Sequence, residues 1–243
     1  FNFTLINFFI LPIFFYLMVY IKKKSKGTYR KKPYKKNLLI FGTIFGFSFF
    51  LSGIFWITNS LTFDENFKIL IPFALIFIPM FLSLFLGCTI LFIGPYLSYN
   101  FSSILIFSAA MSVSDFLRAK IFTGFPWNLW AYSLSWSIET LQILYLIGLF
   151  AFNLLTITIF SLPSVLFFSI EIRKKILILV CFLTAVLALY IFGSYELNKN
   201  KDYLKTINEK IYVKIISPNF ELKYGLNYDQ IEDRLKKLIR YSD

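Results

Sequence analysis

The residues of this 243-residue chain that could take part in chemistry are few and clustered. Within an otherwise apolar stretch, Asp115 and Arg118 stand three residues apart, which places a carboxylate and a guanidinium on one face of a helix. Such residues cost about 2.5–3.5 kcal/mol each at the centre of a membrane-spanning helix, so the pair needs a partner or a polar cavity. Two arrangements are open. One is an internal ion pair near the interface, with Lys120 extending its alkyl stem outward; the other turns Arg118 toward a lipid phosphate or a partner carboxylate. Directly after come Thr123, Gly124, Phe125, Pro126, Trp127 and Asn128, where glycine and proline break the helix and hold two aromatics beside the break. Irregular backbone at membrane depth is buried in protein or lines a cavity. The neighbouring Trp130, Tyr132 and Trp136 also suit an interfacial aromatic belt.

Several chemistries are excluded. The chain has no histidine, so neither a Ser-His-Asp or Cys-His nucleophile system nor a histidine-rich metal site can be built. Cys88 and Cys181 lie far apart in apolar stretches and read as buried packing residues. Glu139, beside Gln142, suits the headgroup region or a helix N-terminus and is assigned no catalysis. There is no glycine-rich phosphate loop and no paired-cysteine site, so no cofactor and no metal are expected.

The medium that positions these groups is legible from composition. The chain is 58% hydrophobic and 21% aromatic, with mean hydropathy +0.68, values that point to a bilayer as solvent. Its formal charge of +12 is concentrated rather than spread: Lys22 to Lys36 holds nine basic residues and no acid. A basic run between membrane spans marks a cytoplasmic loop in contact with anionic lipid, and no nucleic-acid partner is expected.

Six apolar stretches are long enough to cross a bilayer, at about 3–21, 38–59, 69–97, 102–122, 138–170 and 176–195. Pro72 and Pro79 in the third and Pro163 in the fifth are expected to kink or end their helices. The first stretch lacks a basic leader and a cleavage site and reads as a retained helix. With residues 22–37 in the cytoplasm, parity puts the basic turn Glu171–Lys175 inside as well. It puts loops 60–68 and 123–137, which carry only Lys68, outside. Residues 196–243 then lie outside. With ten basic and eight acidic residues, they start a second domain. Ile211–Ile216 is β-branched and predicts a strand, ended by Pro218 and Asn219. Asn227 and Gln230 predict a helix start, with Ile231, Leu235 and Leu238 on one face. The chain opens at Phe1 and ends at Asp243, and both ends read as truncated.

The segment DFLRAKIFTGFPWNLWAYSL, followed by ETLQILYLIGLFAFNLLTI, resembles the hallmark region of apolipoprotein N-acyltransferases. FGTIFGFSFFLSGIFWITNSL, residues 41–61, is similar to that family's glycine-rich helix ending in an aromatic-Trp pair, and VKIISPNF from Val213 resembles the opening strand of its nitrilase-like domain. Departures are Asp115 for a usual glutamate, Ser217 for a usual glutamine, and Trp130-Ala131 ahead of Tyr132 where Gly-Tyr is common.

The resemblance implies an α-helical polytopic membrane domain at 1–195 and, at 196–243, the start of an α/β nitrilase-like domain. It implies a bacterial inner-membrane enzyme that moves an acyl chain from a phospholipid donor, through a cysteine thioester, to the N-terminal amine of an apolipoprotein's diacylglyceryl-cysteine. The family's Glu-Lys-Cys triad lies outside residues 1–243, so no catalytic residue is named and the chain alone is expected to be inactive. Arg118 and Trp127 match positions in the family's motif that face a lipid-accessible cavity, and Phe125, Pro126 and Trp127 are expected to shape the mouth through which acyl chains reach the cysteine, so these four are the expected substrate-binding residues. The competing expectations are a non-catalytic membrane anchor or lipid-handling scaffold, and a small transporter, which would need polar residues in several spans.

Overall fold

The computed structural model describes residues 4–25, 33–121, 124–206, 213–220 and 225–242. The main helices are α1 Thr4–Ser25, α2 Pro33–Ile54, α3 Ile71–Ile93, α4 Phe101–Lys120, α5 Ile138–Leu141, α6 Leu144–Ser161, α7 Ile172–Thr206 and α8 Tyr228–Ser242. Short 3-10 segments at 55–62 and 65–70 join α2 to α3, and others at 130–134 and 162–167 flank α5 and α6. Among the described residues, six helical spans are long and apolar enough to cross a membrane. Helices are the form that satisfies every backbone group internally in hydrocarbon.

The expected fifth stretch, 138–170, is divided. A turn follows α5, Gly148 interrupts α6 with φ 75° and ψ 170°, and α6 ends at Ser161, one residue before the 3-10 segment that carries Pro163. The last span continues as one helix past Tyr195 to Thr206. At 1.5 Å per residue its 35 residues measure about 52 Å, longer than a hydrocarbon core of about 30 Å.

The core is built by α1, α2, α3, α4 and α6 around stacked phenylalanines. Phe14 of α1 stacks on Phe45 of α2 with ring centroids 3.9 Å apart, Phe15 meets Phe107 of α4 edge-on at 5.7 Å, and Phe8 meets Phe160 of α6 at 4.9 Å. α2 and α3 approach closely because Gly42 and Gly46 face Gly87 and Ser83. In lipid the hydrophobic effect does not drive helices together, so dispersion between well-packed rings and close backbones holds the bundle. α7 contributes little to it: Gly193 is its one buried residue.

Two expectations are corrected. Cys88 and Cys181 are exposed on the outer surface of the bundle, not buried in its core. A lipid-facing helix surface is as apolar as a core-facing one, so hydropathy could not tell them apart. No strand is present among the described residues: Val213–Ile216 is irregular, while Ile211 and Tyr212 lie outside them. A strand requires a paired neighbour, and none is present among the described residues. α8 forms where expected, with the Gln230 side chain accepting from the Asn227 backbone N–H at 3.2 Å, and its apolar face, including Ile231 and Leu235, stays exposed.

The ends of α1 are tied to opposite ends of the bundle. Thr4 donates to the Ser133 carbonyl at 2.6 Å and accepts from the Trp136 indole at 3.0 Å. Lys22, buried, donates to the Leu97 carbonyl at 2.7 Å in the α3–α4 turn. Replacing Lys22 by Met, which keeps the stem and removes the donor, is expected to destabilise the chain by about 1–3 kcal/mol. Unfolding of the purified protein followed by circular dichroism measures this.

Candidate functional site

α4 is capped at its start by Asn100, whose side chain accepts from the Ser103 N–H, and runs unbroken to Lys120. Its C-terminal half turns Ser112, Ser114, Asp115 and Arg118 inward, all buried. The helix stops because Ile121 is extended and Gly124 takes φ 77°, a left-handed conformation in which a Cβ would lie 2.6 Å from the Ala119 carbonyl oxygen. The Phe125 N–H then returns to the Arg118 carbonyl at 3.0 Å and closes the chain over the helix end.

Arg118 organises the turn beyond the helix. One terminal nitrogen donates to the Phe125 carbonyl at 2.6 Å and to the Trp127 carbonyl at 2.7 Å; the other donates to Asp115 Oδ1 at 3.0 Å. The guanidinium also lies 5.0 Å over the Phe50 ring of α2. Asp115 Oδ2 accepts from the Asn153 amide of α6 at 2.8 Å, and Asn153 Oδ1 accepts from the Ala131 backbone N–H at 3.0 Å. A single polar chain thus joins α4, α6 and both sides of the 125–131 turn, with each charge paired and hydrogen-bonded as burial requires.

The turn presents one aromatic outward. Trp127 is 44% exposed and stacks on Trp56 of the 55–62 segment at 4.8 Å and 15°, with Phe125 tilted against it at 5.7 Å. Asn128 is left-handed at φ 57°, and its side chain lies so close to Gly53 that a Cβ there would overlap the amide. Trp130 is buried and stacks on Phe49 at 4.7 Å. The Tyr132 hydroxyl donates to the Pro126 carbonyl at 3.1 Å; partial burial pushes its pKa up, which keeps the phenol a neutral donor.

The four sequence-derived site residues therefore come together, in two roles. Phe125, Pro126 and Trp127 form the surface, and Arg118, 2% exposed, holds it from behind. Thr123 lies outside the described residues. Sequence reasoning missed Asn153, Trp56 and Gly53. Asn153 carried a usable signal, since an amide in the middle of an apolar span needs a partner; the contact between Gly53 and Asn128 had none.

With this geometry in hand, comparison with known proteins is direct. The family model for the apolipoprotein N-acyltransferase N-terminal domain matches residues 1–162. The chain belongs to that family. Proteins named apolipoprotein N-acyltransferase from Rhodopseudomonas palustris and Bradyrhizobium diazoefficiens are 30% and 28% identical to it, over 83% and 100% of this chain and 38% and 44% of theirs. The one from Rickettsia bellii is 33% identical over 73% of this chain and 35% of its own. The chain thus spans less than half the length of these relatives. No solved structure matches it.

Removing one member of the polar chain should release the turn. Asp115→Ala leaves the Arg118 charge uncompensated and is expected to cost about 3–5 kcal/mol. Asn153→Leu, which orphans the second Asp115 oxygen and the Ala131 N–H, should cost about 2–4 kcal/mol. Denaturant titration in mixed micelles gives the energies, and protease cleavage within 124–128 reports release of the turn.

Proposed function

We propose that this chain is the membrane part of an inner-membrane N-acyltransferase of lipoprotein maturation, and that its aromatic turn shapes the path by which an acyl chain leaves the bilayer. Residues 1–195 are the membrane domain in this reading, and 196–243 open an α/β nitrilase-like domain on the periplasmic side, with residues 22–37 in the cytoplasm. The donor is a phospholipid, the carrier a cysteine thioester beyond this chain, and the acceptor an apolipoprotein's N-terminal diacylglyceryl-cysteine.

The observation that carries the reading is the division of labour at the turn. A buried Arg118 donates to the carbonyls of Phe125 and Trp127, so the turn keeps one shape while the Trp127 ring stays exposed and Phe125 lies half-buried beside it. An interfacial belt alone would not require a buried ion pair, an intramembrane amide and a left-handed asparagine behind it. Arg118 in this account acts on substrate through the turn it positions, and Trp127 and Phe125 make the contact. The family membership supports the acyl-transfer chemistry, and the amphipathic, uncovered α8 supports a soluble domain that begins after the last span.

The second reading, a lipid-handling scaffold without chemistry, uses the same turn and differs in the domain encoded after it. Reading the gene past codon 243 separates the two: a Glu, Lys and Cys at nitrilase-like spacings support the enzyme, and an immediate stop supports the scaffold. In the product of the complete reading frame, Trp127→Ala is expected to lower acyl transfer from phospholipid to a diacylglyceryl-cysteine peptide at least about tenfold, equivalent to 1.4 kcal/mol of transition-state stabilisation. An unchanged rate would sink the proposed role of the turn.

A further inference from the structure

At the end of the bundle opposite the aromatic turn, three segments meet. Lys22 reaches from α1 to the 94–100 turn, Tyr16 stacks on Tyr99 at 5.3 Å, and Tyr16 also packs against Phe167 at 5.2 Å, just before α7. The described residues of this end, 22–25, 33–37, 94–100 and 168–175, hold eight of the chain's 25 lysines and arginines and one acid, Glu171. Seven of the twelve net positive charges of the whole protein therefore belong to the described part of this one end.

The described cations here fall into two groups. Lys22 and Lys175 hold backbone carbonyls of Leu97 and Leu166, and Lys174 pairs with Glu171 at 3.5 Å. Arg173 and four lysines, Lys23, Lys24, Lys35 and Lys36, are exposed, and among the described residues no carboxylate pairs with them. Two of these four are held to phenol rings: Lys23 lies 4.2 Å over Tyr99 and Lys24 5.7 Å over Tyr20. Burial, reinforced by Tyr16, pushes the Tyr99 pKa up to about 12, so the phenol adds no negative charge to the cluster. The lysines thus stand where apolar helices give way to polar chain, the depth at which tyrosine rings and lipid phosphates lie.

We propose that this end of the bundle is a docking surface for anionic phospholipid of the phosphatidylglycerol type, gripped at its phosphate by Lys23, Lys24, Lys35 and Lys36 and preferred over zwitterionic lipid. Unneutralised cations at this depth attract anionic headgroups by roughly fivefold per lysine, an attraction that fades beyond a Debye length. A nucleic acid would need the same charges lifted clear of the membrane. The surface is separate from the aromatic turn and stands independently of the acyltransferase reading.

The test uses the whole chain purified in neutral detergent with an equimolar mixture of phosphatidylglycerol and phosphatidylcholine, the retained lipids being counted by native mass spectrometry. Wild type should retain phosphatidylglycerol over phosphatidylcholine by about tenfold or more, and the preference should shrink in about 0.5 M salt. The combined Lys23→Gln, Lys24→Gln, Lys35→Gln and Lys36→Gln variant should lose the preference, and the matching four Lys→Arg variant should keep it. Circular dichroism establishes that each variant is folded; if the glutamine variant is not, the lipid and salt comparisons on wild type decide. Equal retention of both lipids by wild type, or a preference that the folded glutamine variant keeps, overturns the proposal. Salt-sensitive binding of a single-stranded oligonucleotide without a phosphatidylglycerol preference overturns it in favour of a nucleic-acid surface.

Discussion

A buried arginine in a membrane protein has to be answered by acceptors, and Arg118 is answered by the backbone of the turn that succeeds its own helix. Its two bonds to the Phe125 and Trp127 carbonyls, and its ion pair with Asp115, give both terminal nitrogens acceptors inside the protein. The rest of the site depends on that arrangement. Breaking a helix in hydrocarbon exposes backbone groups that cost several kcal/mol each if unmet, so an irregular turn at this depth survives only where something polar is buried beside it. Arg118 meets the carbonyls, Asp115 balances the charge, and Asn153 passes the link from Asp115 to the Ala131 N–H. Trp127 is outward because the polar side of the turn's backbone is committed inward.

The rings themselves are placed by packing of a different kind. Trp127 rests on Trp56 and Asn128 on Gly53, so the turn is clasped by the end of α2 and the 3-10 segment after it. α2 is in turn held against α3 by close glycine contacts and against α1 by stacked phenylalanines. These are short-range dispersion contacts, strong only when shapes match, which suits a medium where burying apolar surface gains nothing by itself. The well-packed helices α1–α4 and α6 form the rigid frame, while α7, with one buried residue, runs beside it.

Much of the outline could be read in advance because the bilayer imposes strong one-dimensional rules. Span number followed from hydropathy and length, and the clustering of charge at one end was visible as a run of lysines. Asp115 and Arg118 announced themselves as charges with no business in an apolar span unless paired, and their pairing is present. The aromatic turn was marked by glycine and proline. What could not be read was which side of each helix faces protein and which faces lipid. Cys88 and Cys181 show the difficulty: in water an apolar residue is a core residue, but in a membrane both faces are apolar and hydropathy loses that meaning.

The sequence by itself determined the class of protein, the six spans found among the described residues and the identity of the groups needing partners, since these depend on composition and local spacing alone. Only the tertiary structure decided that Arg118 faces a backbone turn instead of open lipid, that Asn153 completes the link, and that Trp56 and Gly53 carry the turn. Those partners are 38 residues away for Asp115 and Asn153, and farther for Trp56 and Trp127. Nothing in local sequence encodes such a meeting; it arises when helices pack, and packing depends on the shape of whole faces at once.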